Sequence, residues 1–199
     1  SLAANGDIQT MCTDPFGNVY AAGLFTNSSG NYYVAEYNGI SWSELGGPNA
    51  LAAHGDITSI CSDATGNIYA VGNFTNANGL RYVAKFNGGS WSELGGANSL
   101  SGACIASLLY TVNAYGGNVY VGGSIYNLSA SSDSSLVMKF NSGTWSEAGA
   151  IPCQAGTNTV TTLTHDASGN MFAGGYFTNA GGNHFVAQLT GNTWSELGG

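Results

Sequence analysis

Charge is what this chain has least of. Charged residues make up 7% of its 199 positions, with 3 Lys plus Arg against 11 Asp plus Glu and a formal net charge of −8, where soluble domains ordinarily carry about a quarter. So few cations form no basic patch able to neutralise phosphates, which excludes nucleic acid and anionic membrane surfaces as partners. No apolar run approaches the length of a membrane-spanning helix, so membrane insertion is not expected. The opening residues Ser1-Leu2-Ala3-Ala4-Asn5-Gly6 lack the charged and apolar regions of a signal peptide; either a signal has been removed or the chain is a piece of something longer. Gly-x-Ser-x-Gly, P-loop and dinucleotide fingerprints are all missing, and no enzymatic activity is expected.

What is present is neutral polarity. The chain has 31 glycines, 43% hydrophobic residues and many Asn, Ser and Thr, enough for one ordinary core under a surface rich in hydroxyls and amides. Few lysines and four cysteines fit a protein outside the cytoplasm.

A repeat dominates the sequence. Trp42, Trp91, Trp145 and Trp194 stand 49, 54 and 49 positions apart (91−42, 145−91, 194−145), each in a Ser/Thr-Trp-Ser-Glu segment. Upstream of each lies Gly17-Asn18-Val19-Tyr20, Gly66-Asn67-Ile68-Tyr69, Gly117-Asn118-Val119-Tyr120 or Gly169-Asn170-Met171-Phe172, followed by a glycine at 23, 72, 123 or 175. A fixed period near fifty marks propeller blades or solenoid coils. In the first unit, apolar runs between Gly/Asn/Asp turns predict strands over about Ile8–Thr13, Asn18–Leu24, Tyr32–Tyr37 and Ser41–Leu45, an antiparallel meander. The third strand of every unit carries apolar residues on both faces, as in Tyr33/Ala35/Tyr37 against Val34, so each sheet must pack between two others. The expected fold is all-β: a four-bladed β-propeller in one domain, 1–199, with blades of about 1–47, 48–96, 97–149 and 150–199, each a four-stranded antiparallel meander. A β-solenoid is the competing architecture. Ring closure would rest on packing of blade one against blade four.

At these residues the chain resembles the kelch-like tandem-repeat β-propellers of large secreted bacterial surface proteins, in which Gly-Asn-Val-Tyr-Ala-x-Gly, Phe-Thr-Asn and Trp-Ser-Glu-Leu-Gly-Gly blocks recur. The resemblance spans nearly the whole chain and implies export, repetition and surface display, with no catalytic residue to carry over. The third unit departs from the pattern: Ala114 stands in place of the turn aspartates Asp14, Asp63 and Asp166, and the segment 127–135 is longer than its counterparts.

The repeated Glu44, Glu93, Glu147 and Glu196 lie in four like environments, where acid catalysis needs unlike ones, and are expected to bond backbone amides. The turn aspartates suit Asx turns better than calcium, no metal is expected, and His54, His165 and His184 read as ordinary loop histidines. Cys12 and Cys61 share one slot, filled elsewhere by Val112 and Thr164, and read as buried thiols. Cys104 and Cys153, in linkers before blades three and four, are expected to form a disulfide clamping those blades. Asn27, Asn73 and Asn127 stand in glycosylation sequons.

The function expected is a non-enzymatic extracellular or cell-surface module for adhesion or structural assembly, such as a subunit of a fibre or longer array, with copies of itself or other surface proteins as partners and no cofactor. The alternative is a multivalent lectin for neutral glycans, using Tyr32, Arg81, Tyr126 and His184 on the loops of one rim.

Overall fold

The computed structural model describes residues 1–127, 136–154 and 159–199. They form four antiparallel four-stranded sheets, each built from consecutive sequence. Sheet one holds β1 (Ile8–Thr13), β2 (Val19–Gly23), β3 (Ala35–Tyr37) and β4 (Trp42–Glu44). Sheet two holds β5 (Ile57–Ser62), β6 (Ile68–Gly72), β7 (Ala84–Phe86) and β8 (Trp91–Glu93). Sheet three holds β9 (Cys104–Tyr115), β10 (Asn118–Asn127), β11 (Leu136–Asn141) and β12 (Thr144–Ala150). Sheet four holds β13 (Thr159–His165), β14 (Met171–Tyr176), β15 (Ala187–Thr190) and β16 (Thr193–Glu196). Strands pair within each sheet in chain order, as the meander reading requires. The third strand of sheet one is shorter than expected: Tyr32 lies outside it, bridged instead to Thr26 and Ala53.

The repeated glycine has a steric cause. The first two strands of every sheet carry a register irregularity, and there a Cβ on Gly23, Gly72, Gly123 or Gly175 would overlap the carbonyl oxygen of Asp7, Asp56, Leu108 or Thr159. The first and second strands approach too closely at this point for any side chain.

The first hairpin of sheet three is longer than the others, continuing past Gly123 to the pair Cys104–Asn127 and gaining the pair Tyr115–Asn118 at a shorter turn. Gly116 and Gly117 both have positive φ, 58° and 77°, and join Tyr115 to Asn118 as a two-residue turn of the primed type. The loss of one residue there shifts the equivalences expected from sequence. Ala114 pairs with Val119 as Thr13 does with Val19, so it does not occupy the aspartate's place. By the same register Cys12, opposite Tyr20, corresponds to Asn113, opposite Tyr120, and not to Val112.

The core lies between sheets. Tyr20, Val34 and Leu45 of sheet one meet Ile57, Ile60 and Phe86 of sheet two; Tyr69, Val83 and Leu94 meet Leu109, Val112 and Trp145; Val137 and Ala148 meet Val160, Leu163 and Trp194. The first strands pack in succession, β1 on β5, β5 on β9 and β9 on β13, and no packing of similar extent joins β13 to β1. The outer faces of the stack stay open. Ile8 and Met11 are 48% and 59% exposed, whereas their counterparts Ile57 and Ile60 are 0% and 5%. At the other end Val186 and Leu197 are 47% and 50% exposed, against 1% and 4% for Val34 and Leu45. Among the described residues no packing of like extent joins the first sheet to the fourth.

Candidate functional site

Three sets of repeated polar residues organise the surface, and each is engaged in holding loops or sheets together. The first is the turn aspartate. Asp14 Oδ1 accepts from the backbone N–H of Phe16 and Asn18, both at 2.9 Å, while Oδ2 accepts from Asn18 Nδ2 at 2.7 Å and from the Tyr20 hydroxyl at 2.9 Å. Asp63 repeats this with Thr65, Asn67 and Tyr69, and Asp166 with Ser168 and Asn170. Burial works against the charged form of Asp63, but the bonds from Asn67, Thr65 and Tyr69 outweigh it and hold its pKa at about 2; Asp14 is lowered by the same balance, and Asp166 chiefly by Asn170. Tyr20 and Tyr69 are pushed up by burial and by their aspartate partners. A carboxylate accepting several short bonds in an Asx turn is a fold element.

The second set is the repeated glutamate. Glu44 accepts from Asn27 Nδ2 and from the Asn49 backbone N–H at 2.7 Å; Glu93 does so from Asn76 and Asn98, and Glu196 from Asn179. Asn27 and Asn76 donate as well to the side-chain oxygens of Asn49 and Asn98, which sit at φ 58° and 62°, a region Asn tolerates. The glutamate thus ties the fourth strand to the loop after the second strand and to the chain leaving for the next sheet, the amide-bonding role expected for it.

The third set joins neighbouring sheets. The indole N–H of Trp91 donates to Leu45 O at 3.1 Å, that of Trp145 to Leu94 O at 3.4 Å and to Ser99 Oγ at 3.1 Å, and that of Trp194 to Ala148 O at 3.0 Å. Near the inner strands the Ile60 N–H donates to Thr10 Oγ1, Val112 N–H to Ser59 Oγ and Leu163 N–H to Thr111 Oγ1, at 3.0 to 3.2 Å. Sequence reasoning noted the tryptophans but missed these hydroxyls, whose signal is a Ser or Thr just before an apolar residue of each first strand.

Of the rim residues, Tyr32, Arg81 and His184 hold equivalent bridged positions in three sheets, and Tyr126 does not. Tyr32 is half-buried against the core between sheets one and two, and its N–H donates to Ala53 O. Arg81 Nε donates to Ser107 O and lines a groove of about 340 Å³ with Leu80, Ser101 and Ile105. His184 holds the same bridged position in sheet four and is exposed, with Nδ1 3.2 Å from Phe177 O. Tyr126 differs: it lies inside β10 opposite Ile105, at the register of Thr26, because the second strand of sheet three runs further than the others.

All four cysteines are free thiols. The expected Cys104–Cys153 bridge is not formed, because Cys104 is the first residue of β9, buried in the core between sheets two and three, while Cys153 packs on the core of sheets three and four. Burial pushes the thiols of Cys12 and Cys104 up to about 12 and that of Cys61 well up. Of the sequon residues, Asn27 uses both ends of its amide within the loop network, accepting from Ser29 and Asn31. Asn73 is half-buried between β6 and Phe74. The side chain of Asn127 and its sequon partners 128 and 129 lie outside the described residues, as does most of the long segment 127–135 of the third unit. Among the described residues no group of three or more His, Cys, Asp and Glu side chains is placed to hold a metal ion, and no helix is long and apolar enough to cross a membrane.

At the turn end a cavity of about 740 Å³ opens between the inner strands, lined by Thr13, Asp63, Tyr115 and His165. The Tyr115 ring lies 4.5 Å from that of His165, whose Nδ1 is 2.7 Å from Asn113 Oδ1.

Four stacked antiparallel meanders define an all-β, propeller-like repeat protein. No protein-family model matches the chain, and no curated protein is similar to it in sequence. Solved structures do resemble it. The extracellular domain of BT4673 from B. thetaiotaomicron matches at TM-score 0.54 and 12% identity, over 96% of this chain and 22% of that one. YCF48 from Cyanidioschyzon merolae matches at 0.55 and 14%, over 98% and 57%, and a protein of unknown function from Dyadobacter fermentans at 0.56 and 14%, over 96% and 68%. At such identities the likeness is one of fold, propeller-like. The chain spans about a fifth of the length of the BT4673 domain.

Proposed function

We propose that residues 1–199 are a kelch-like, four-bladed propeller-type unit acting outside the cell as a non-enzymatic module for adhesion or structural assembly. The observation that carries this reading is the use of the repeated polar groups: the aspartates, the described glutamate networks and the tryptophan N–H groups serve turns, loops and inter-sheet ties. What remains for function is the shape and chemistry of exposed surface, which suits binding. The low charge and the likeness in fold to a domain described as extracellular support a location at the cell surface. The test is antibody labelling of intact against permeabilised cells of the source organism. Labelling of intact cells is the expected result; labelling only after permeabilisation would overturn the location.

The groove beside Arg81 favours a second reading, recognition of a neutral glycan by that side chain and its hydroxyl neighbours. A panel of neutral oligosaccharides that raises the unfolding temperature, with the rise lost in Arg81→Ala, would carry it.

A further inference from the structure

The three interfaces inside the molecule are copies of one another, and each has two unlike sides. One side offers a hydroxyl (Thr10, Ser59 or Thr111) and a carbonyl (Leu45, Leu94 or Ala148); the other offers a strand N–H (Ile60, Val112 or Leu163) and an indole N–H (Trp91, Trp145 or Trp194). The first sheet keeps the donor side unused: Met11 N–H stands where those strand N–H groups stand, and among the described residues the Trp42 indole meets no carbonyl of a neighbouring sheet. Among the described residues the fourth sheet keeps the acceptor side unused, with Thr162 at the hydroxyl position and Leu197 at the carbonyl position.

The apolar residues match in the same way. Ile8 and Met11 are core residue types left half-exposed at one end, and Val186 and Leu197 are left so at the other. Residues of these types at the same positions fill the three internal interfaces. Donor face and acceptor face also cannot be satisfied by two like faces meeting, so the complement of each is the opposite end of the same fold.

We infer that the first-sheet face around Met11 and Trp42 docks on the fourth-sheet face around Val186 and Leu197 of a second copy of this chain, repeating the internal interface between molecules. This rests on the assembly reading above and names its partner and geometry. The contact is heterologous, so every added copy presents a fresh face, and growth proceeds beyond the dimer into rings or filaments.

The test is light scattering behind a sizing column across the micromolar range, on the 199-residue chain and two variants, Met11→Asp and Val186→Asp. Wild type should grow with concentration past twice its 20.3 kDa mass. Each variant alone buries an unpaired carboxylate in the contact and should assemble about a hundredfold or more weaker. Mixed, the two should form a one-to-one complex and stop, because Met11→Asp retains a sound fourth-sheet face and Val186→Asp a sound first-sheet face. Both positions are exposed in the single molecule, so circular dichroism should show unchanged folding; if either variant unfolds, Ile8→Glu and Leu197→Glu form an equivalent pair. A monomeric wild type, assembly indifferent to both variants, or a mixture that stays monomeric would each overturn the inference. Surface labelling of cells is independent of these outcomes, so failure here leaves the location reading standing.

Discussion

Replacing Asp63 by Ala puts the turn aspartate to its most demanding test. Its carboxylate accepts from two backbone N–H groups, the Thr65 hydroxyl, the Asn67 amide and the Tyr69 hydroxyl. In the variant, water can reach the half-exposed turn groups, but Tyr69 is 4% exposed and its hydroxyl is left without its acceptor, which costs about 1–3 kcal/mol. The charge adds a smaller amount. A folded pKa of about 2 against an ordinary 3.8 corresponds to about 2.4 kcal/mol at full strength, and solvent around this partly exposed group reduces it to about 1 kcal/mol. The expected loss is therefore about 2–4 kcal/mol at pH 7, or a fall of about 4–16 °C in Tm for a domain of this size. Because the folded pKa is lowered, the ionic part is present above the unfolded value near 4 and vanishes as pH falls through about 2. Urea titrations of wild type, Asp63→Ala and Asp63→Asn at pH 7 and at pH 2.5 measure both parts. A loss below about 0.5 kcal/mol at pH 7, or a gap between wild type and Asp63→Asn that does not shrink in acid, would refute the reasoning.

Gly72→Ala forces a methyl against the Asp56 carbonyl and should destabilise by about 1–3 kcal/mol or more, measured by urea denaturation. Trp145→Phe removes donations to Leu94 and Ser99 and should cost about 1–2 kcal/mol in single molecules, whereas Trp42→Phe should leave their Tm nearly unchanged and weaken assembly about tenfold. At pH 8 the raised Cys12, Cys61 and Cys104 thiols should resist iodoacetamide in the folded protein, and intact mass after alkylation in denaturant should show all four cysteines modified; a mass short by one bridged pair would restore the Cys104–Cys153 clamp.

Much of the architecture could be read from the sequence because the repeat supplies its own alignment. The Trp-Ser-Glu and Gly-Asn-Val-Tyr blocks set strand order, and β1 begins and ends where its apolar run does. The misplacements trace to one deleted residue. Counting back from Asn118 without allowing for a two-residue Gly116–Gly117 turn puts Val112 opposite Cys12 and Ala114 opposite Asp14; the ladder shows both one place out. Tyr126 reads from the sequence as a loop aromatic like Tyr32, since an aromatic in a loop and one in an extended strand look alike when strand length is unknown. The Cys104–Cys153 pairing assumed two equivalent linkers, and the longer β9 absorbs one of them.

The interface pattern was the least readable part, and it carries the most consequence. A repeat sequence shows that each unit has apolar residues on both faces, but says nothing of which face gives hydrogen bonds and which accepts them. That asymmetry emerges only when Thr10 is seen under Ile60 N–H and Leu45 O under the Trp91 indole. Once it is seen, the two ends of the stack cease to be alike: one is short of acceptors, the other of donors, and both keep side chains suited to a core. Like faces would pair into closed dimers, whereas these unlike faces fit only in one direction, so a molecule that assembles through them must do so in polar order.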